Sequence, residues 1–320
     1  MDFSTSSILI TGGAGFIGSH IAEFLLKNGA KFVRILDNLS TGSIKNIDHL
    51  MSYPNLEFVR GDITSIETCR RACENITSIC HQAALGSVPR SIHDPLSSHN
   101  TNVDGFLNIL VASKEKGIKR IVFASSSSVY GNNSDGVKTE ENIGQQLSPY
   151  AITKYIDELY GRIFTNIYGL ECIGLRYFNI FGPRQNPCGP YAAVIPKFIK
   201  SILQNERPII NGDGTYSRDF TYVDNAVYAN CLALATTNAK CFGEIFNVGT
   251  NHNISIKQLF KSITRILGKD LEPIYEEPRL GDIPYSNASI SKIGIYLSYS
   301  PKVYFSEGLE KTIEHYRIGG

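Results

Sequence analysis

The chain has 320 residues, 42% hydrophobic and 19% charged, the composition of an ordinary folded globular protein. Its 31 Lys and Arg against 30 Asp and Glu leave a formal net charge of +1 with no basic block, which argues against nucleic acid or an acidic membrane surface as a partner. No run approaches about eighteen apolar residues, and "MDFSTSS" lacks the regions of a signal peptide, so a cytoplasmic protein is predicted.

In chain order, residues 7–10 read as a strand and 17–28 as a helix ended by Gly29. Residues 32–36, 56–60 and 78–81 are the next three strands. A helix over 103–116, closed by Gly117, leads into a fifth strand at 120–124. A long helix over 149–168 precedes a sixth strand at 171–176. Short apolar strands separated by helices predict an α/β fold, a parallel sheet with helices on both faces. Beyond Asn179 the rhythm breaks: a Pro/Gly loop, a helix at 192–204, turn and strand in "INGDGTYSRDFTYVD", and a helix at 223–236. A buried strand in "EIFNVG", a helix at 256–267 and a terminal helix near 307–316 follow. No repeat or linker is present, so the second lobe is expected to pack tightly on the first.

Seven cysteines, at 69, 73, 80, 172, 188, 231 and 241, form no C-x-x-C and read as reduced thiols. The seven histidines form no cluster with them, so no metal site is expected.

Three features carry chemistry. First, "ILITGGAGFIGSH" joins strand one to helix one with glycines at 13, 15 and 18, or equally at 12, 15 and 18. Such a turn, free of Cβ atoms, brings backbone N–H groups at a helix N-terminus to a pyrophosphate. Second, Asp37 ends strand two, where an acid accepts hydrogen bonds from an adenosine ribose and repels a 2′-phosphate, which favours NAD over NADP. Asp62 in "RGDI" ends strand three near the expected adenine. Third, "SPYAITKY" opens a helix with Ser148 as N-cap and Pro149 first, and puts Tyr150 and Lys154 on one helical face. A lysine ammonium beside a phenol favours the phenolate and makes it a usable base. The strand before it ends in "ASSSSVYG", rich in hydroxyls and without an acid.

On these residues the chain resembles the extended short-chain dehydrogenase/reductase superfamily over essentially its whole length. It is most similar to the nucleotide-sugar 4-epimerases, especially those acting on UDP-N-acetylglucosamine, through "HQAALGSVPRS", "LRYFNIFGPRQNP", "YAAVIPKF", "NGDGTYSRDFTYVDN" and "RLGDIPYS". The resemblance implies a Rossmann-type doubly wound parallel sheet with a smaller C-terminal α/β substrate-binding lobe. Residues 1–178 would bind NAD and 179–320 mainly the UDP-sugar, with segments near 220–250 returning to the first domain. It implies an NAD site formed by Gly12, Gly15, Phe16, Ile17 and Gly18, then Asp37, Asn38, Ser40, Thr41 and Gly42. Asp62, Ile63, Gln82, Ala83, Ala84, Asn102, Tyr150, Lys154 and Tyr177 would complete it.

By the same resemblance Tyr150, Lys154 and Ser126 are catalytic, Ser126 meeting the sugar O4 while Ser127 and Ser128 line the pocket. Gly86, Ser87 and Ala193 would surround the sugar, with Val194 near the uridine. Asn179, Arg218 and Arg279 would hold the diphosphate and Asp282 the ribose. The related 4,6-dehydratases carry an Asp-Glu pair in the serine stretch and the related decarboxylases a glutamate; this chain has neither. The implied reaction is reversible epimerisation at C4 of a UDP-hexose by a homodimer, paired through the 103–116 and 149–168 helices into a four-helix bundle. Ser286, where sugar-restricted epimerases carry a gating tyrosine, points to UDP-N-acetylglucosamine; a one-residue shift would put Tyr285 there instead. A UDP-glucuronate epimerase shares "SSSSVYG" but normally has threonine where Asn179 stands. A UDP-glucose 4-epimerase and a catalytically inactive NAD-sensing regulator are the other readings.

Overall fold

The computed structural model describes residues 1–188, 191–278 and 285–318. The apolar strands align into one seven-stranded sheet, in the order 245–248, 171–177, 120–126, 78–81, 7–11, 32–37, 56–60, all neighbours parallel. Both faces are covered, which is why these strands read as continuous apolar runs rather than alternating ones. Ile8 and Ile10 point into one core with Ile21 and Leu25 of the Phe16–Lys27 helix and Ala226 and Ala229 of the Val223–Ala235 helix. Leu9 points the other way, into a second core with Cys69, Phe106, Ile109 and Phe164. The strand order reverses between 7–11 and 78–81, and the carboxyl ends of those two strands open a crevice there.

Local chemistry sets the elements around that crevice. Gly12 has φ +67, and a Cβ on it would lie 2.7 Å from the Ala83 backbone nitrogen; one on Gly18 would lie 2.3 Å from the Gly12 carbonyl oxygen. No side chain fits either position. The Pro149–Tyr168 helix starts where Ser148 Oγ accepts from Ala151 N at 3.2 Å, and it ends at Gly169 with φ +71.

Beyond the main sheet, a four-stranded sheet runs in the order 253–255, 217–219, 285–288, 137–138. The helices Val194–Leu203, Ile256–Leu267 and Phe305–Arg317 pack on one another. Edge-to-face Phe198 and Phe260 lie between the first two.

Three elements depart from the sequence expectation. Residues 100–104 form a π-helical turn, and the α-helix starts only at Gly105. Within that turn Asn102 accepts from Leu85 N at 2.8 Å and donates to Thr153 Oγ1 at 3.0 Å, so side-chain bonds compete with regular helix. The fifth strand continues through Ser126, because Ser125 and Ser126 pair with Arg176 and Tyr177. The helix expected from 192 starts at Val194. Among the described residues no helix is long and apolar enough to cross a membrane. All seven cysteines are free and only Cys188 is exposed; burial pushes Cys69, Cys73, Cys80 and Cys172 up to about 12.

Candidate active site

At the crevice lies a cavity of about 380 Å³. Gly12, Gly15, Phe16, Ile17 and Gly18 line one end of it. Gly15 is the N-cap of the Phe16–Lys27 helix and no side chain caps it, so its first-turn N–H groups have no side-chain acceptor. A tight turn lacking Cβ atoms, with uncapped donors beside it, fits a nucleotide pyrophosphate.

Asp37, 7% exposed, also lines the cavity. Its two oxygens accept from Ala14 N (3.0 Å) and Leu39 N (2.8 Å), while burial raises its pKa. Asn38, Ser40, Thr41, Ile63, Gln82, Ala83, Ala84 and Gly86 line the same space. Gly42 faces an adjoining cavity instead. Asp62 stands behind the lining, accepting from Asn38 Nδ2 (2.7 Å) and from Thr64; burial pushes it up, and these bonds outweigh that. Asn102 likewise sits one layer back, behind Leu85.

At the other end the strand 120–126 and the Pro149–Tyr168 helix bring Ser126, Tyr150 and Lys154 into the cavity, with Tyr177 from the end of the neighbouring strand and Asn179 from the bend after it. Ser126 Oγ accepts from Ser128 N (3.2 Å) and Ser128 Oγ (3.0 Å), which leaves its own hydroxyl hydrogen to donate elsewhere. Ser127 and Ser128 turn off into a short 3₁₀ segment and do not line the cavity. Tyr150 is half-buried, its backbone N–H donating to Ser91 Oγ at 3.0 Å. Lys154 is 2% exposed and its Nζ donates to Asp157 Oδ2 at 3.1 Å. The Tyr177 hydroxyl donates to Gln82 (3.0 Å) and accepts from Asn230 (2.6 Å); burial raises its pKa, so it is held as a neutral phenol.

The remaining expected residues stand apart from this cavity. Ser87, at φ +127, caps the Val88–His93 helix by accepting from Arg90 N. Ala193 is the N-cap of the next lobe's first helix and Val194 its first residue. Arg218 and Ser286 are register partners on adjacent parallel strands, so they share one face, whereas Tyr285 points to the other and is 56% exposed. Arg279 and Asp282 lie outside the described residues.

Sequence reasoning missed the layer beneath. Glu158 takes a bidentate pair from Arg176 (both 2.8 Å) and a third bond from Ser125 Oγ (2.5 Å). His81 Nδ1 is bonded to Thr11 Oγ1, its Nε2 has no partner, and burial lowers it to about 3. Asp157 and Glu158 were visible as acids one turn past Lys154. Glu158's partners, Arg176 and Ser125, lie on strands, beyond the reach of helical periodicity, whereas Asp157 pairs with Lys154 on its own helix.

The NAD dependent epimerase/dehydratase family model matches residues 8–249. A putative UDP-glucose 4-epimerase of Methanocaldococcus jannaschii is 39% identical over 96% of this chain and 97% of that protein. Of solved structures, a UDP-N-acetylglucosamine 4-epimerase from Methanobrevibacter ruminantium, in complex with UDP-N-acetylmuramic acid, superimposes with a TM-score of 0.93. It is 38% identical, with both chains fully covered. A UDP-glucose 4-epimerase of Thermotoga maritima with UDP-glucose has a TM-score of 0.91 and 39% identity over 98% of this chain and 99% of that one. The glycine turn, the buried strand-end acid and the Tyr/Lys/Ser group around one cavity thus belong to a member of the NAD-dependent epimerase/dehydratase family.

Proposed function

We propose that this enzyme interconverts UDP-N-acetylglucosamine and UDP-N-acetylgalactosamine by epimerisation at C4. The observation that carries the reading is the shared cavity: Tyr150, Lys154 and Ser126 face the same space as the glycine turn and Asp37. Among the described residues that line the cavity the only acid is Asp37, which lies with the glycine turn. No lining carboxyl therefore stands with Tyr150 for the additional proton transfer a dehydration needs.

Gly12, Gly15 to Gly18, Asp37, Asn38, Ser40, Thr41, Ile63 and Gln82 to Ala84 would hold NAD, with Lys154 at its nicotinamide ribose and Tyr177 near the nicotinamide. NAD held there would supply a reversible hydride acceptor for C4. Tyr150, as phenolate, removes the O4 proton and later returns it, while Ser126 holds O4 and the Lys154 ammonium stabilises the phenolate. Asn179, Val194, Arg218, Arg279 and Asp282 would grip the UDP, so the 4-keto sugar can turn about a fixed pyrophosphate. Gly86, Ser87 and Ala193 are small, and Ser286 rather than Tyr285 shares a face with Arg218. Both features support room for a C2 acetamide. Incubating the pure protein with UDP-N-acetylglucosamine, UDP-glucose and UDP-glucuronate and separating the products tests this. Turnover mainly of the acetamido sugar is expected; preference for UDP-glucose or action only on UDP-glucuronate would overturn the sugar assignment.

We further propose that the protein is a homodimer. Ile152, Leu159, Ile163 and Ile167 form one stripe along the Pro149–Tyr168 helix, each 44% to 65% exposed. Ile92 and Leu96, 63% and 75% exposed, lie on the short helices just before the π-turn. An uncovered apolar surface of this kind suits a second copy.

A further inference from the structure

We infer that Asp157 is a positioning residue that competes with Tyr150 for the Lys154 ammonium and so sets the pH range in which the tyrosine can act as base. The inference rests on the catalytic roles proposed above for Tyr150 and Lys154. Residues 150, 154 and 157 follow one another at helical spacings of four and three, which places phenol, ammonium and carboxyl along one face of the Pro149–Tyr168 helix. The ammonium stands in the middle of that row. It is 2% exposed, and its salt-bridge partner is the Asp157 carboxyl, itself 1% exposed, at 3.1 Å.

The surroundings leave Asp157 as the counter-charge. Glu158, next on the helix, is neutralised by Arg176 from the adjacent strand, whose guanidinium also donates to the Glu140 carbonyl and lies over Tyr130. From the strand 78–81, His81 faces the lysine, but burial and then the Lys154 charge keep it neutral. A buried ammonium without a counter-charge is costly, and Asp157 supplies that counter-charge.

The pairing is only half made. Asp157 Oδ2 accepts from Lys154, whereas Oδ1 is buried with no partner. An anion with one oxygen unsatisfied is easily protonated, and burial pushes this carboxyl up to about 7 against the pull of Lys154. When Asp157 is ionised, its charge offsets the field the ammonium exerts on Tyr150. When it takes a proton, the whole ammonium charge acts on the phenol. The carboxyl and the phenol therefore titrate as a coupled pair through one lysine.

The test is Asp157→Asn, which keeps an acceptor for Lys154 and removes the charge, with Asp157→Ser as a second neutral variant of smaller size. Phenolate absorbance is titrated without substrate, taking the Tyr150→Phe protein in each background as the blank. We expect the Tyr150 phenolate in both variants to appear at lower pH than in the unaltered enzyme, by about one unit. The acid limb of the kcat/KM profile should move down with it, because the phenol ionises sooner. A carboxyl that only packs would lower activity or melting temperature evenly and move neither midpoint; unmoved midpoints in a folded variant overturn the inference. The absorbance readout needs no UDP-sugar. A shift without epimerase activity would sink the functional reading alone, and epimerase activity without a shift would sink only this one.

Discussion

Tyr150 is the phenol of this cavity free to move a proton, because Tyr177 is tied between Gln82 and Asn230. Tyr150→Phe should therefore lower turnover by about 10²–10⁴-fold, the usual worth of a positioned acid–base group. UDP-sugar affinity measured by calorimetry should change little, since only a hydroxyl is lost; near-normal turnover would remove the tyrosine from its role. The proposed sugar choice turns on a different residue. Ser286 lies beside Arg218 in register, and Ser286→Tyr would place a ring over the space assigned to the acetamide. Product analysis should then show UDP-N-acetylglucosamine turnover lost and UDP-galactose turnover spared. Equal loss of both would mean that the new ring blocks the site generally and does not discriminate at C2.

At the level of elements, the first helix and its glycine turn are the most demanding. A Cβ at Gly18 would meet the backbone oxygen of Gly12, which no rotamer change can relieve. Gly18→Ala should purify with markedly less NAD than the unaltered protein, measured as nucleotide released on denaturation; full NAD content would separate the turn from cofactor binding. For the 149–168 helix, Ile163→Glu puts a charge in the middle of the exposed stripe and should turn a dimer into a monomer by light scattering. A monomeric unaltered protein at micromolar concentration would refute the homodimer directly. The main strands and long helices were legible because each pairs a strong apolar pattern with a local stop or cap, such as Gly29, Gly117, Ser148 and Gly169. The π-turn at 100–104 was not, since Asn102 acts there through bonds to Leu85 and Thr153, far along the chain. In the site, Tyr150 and Lys154 showed through their four-residue spacing. The Glu158–Arg176 pair did not, because it depends on the strand 171–177 lying against 120–126.

Across the whole molecule, acid should weaken the fold partly through His81. The unfolded chain protonates this histidine near pH 6.5, while the folded protein keeps it neutral down to about 3. The unfolded state thus binds more protons between those values, and the stability it contributes is lost as pH falls, by about 1.4 kcal/mol per pH unit. His81→Asn keeps a polar partner for Thr11 and cannot take that proton. Its stability deficit relative to the unaltered protein, from urea melts, should shrink between neutral pH and pH 4; a deficit independent of pH would show that His81 titrates normally. The same chain must also hold a cofactor that is used and restored within each turnover, and the fate of the C4 hydrogen reports on that directly. UDP-N-acetylglucosamine carrying deuterium at C4 should give UDP-N-acetylgalactosamine that retains the deuterium at C4, with no NADH accumulating. Deuterium lost to water, or NADH formed in proportion to sugar consumed, would contradict epimerisation through a returned hydride.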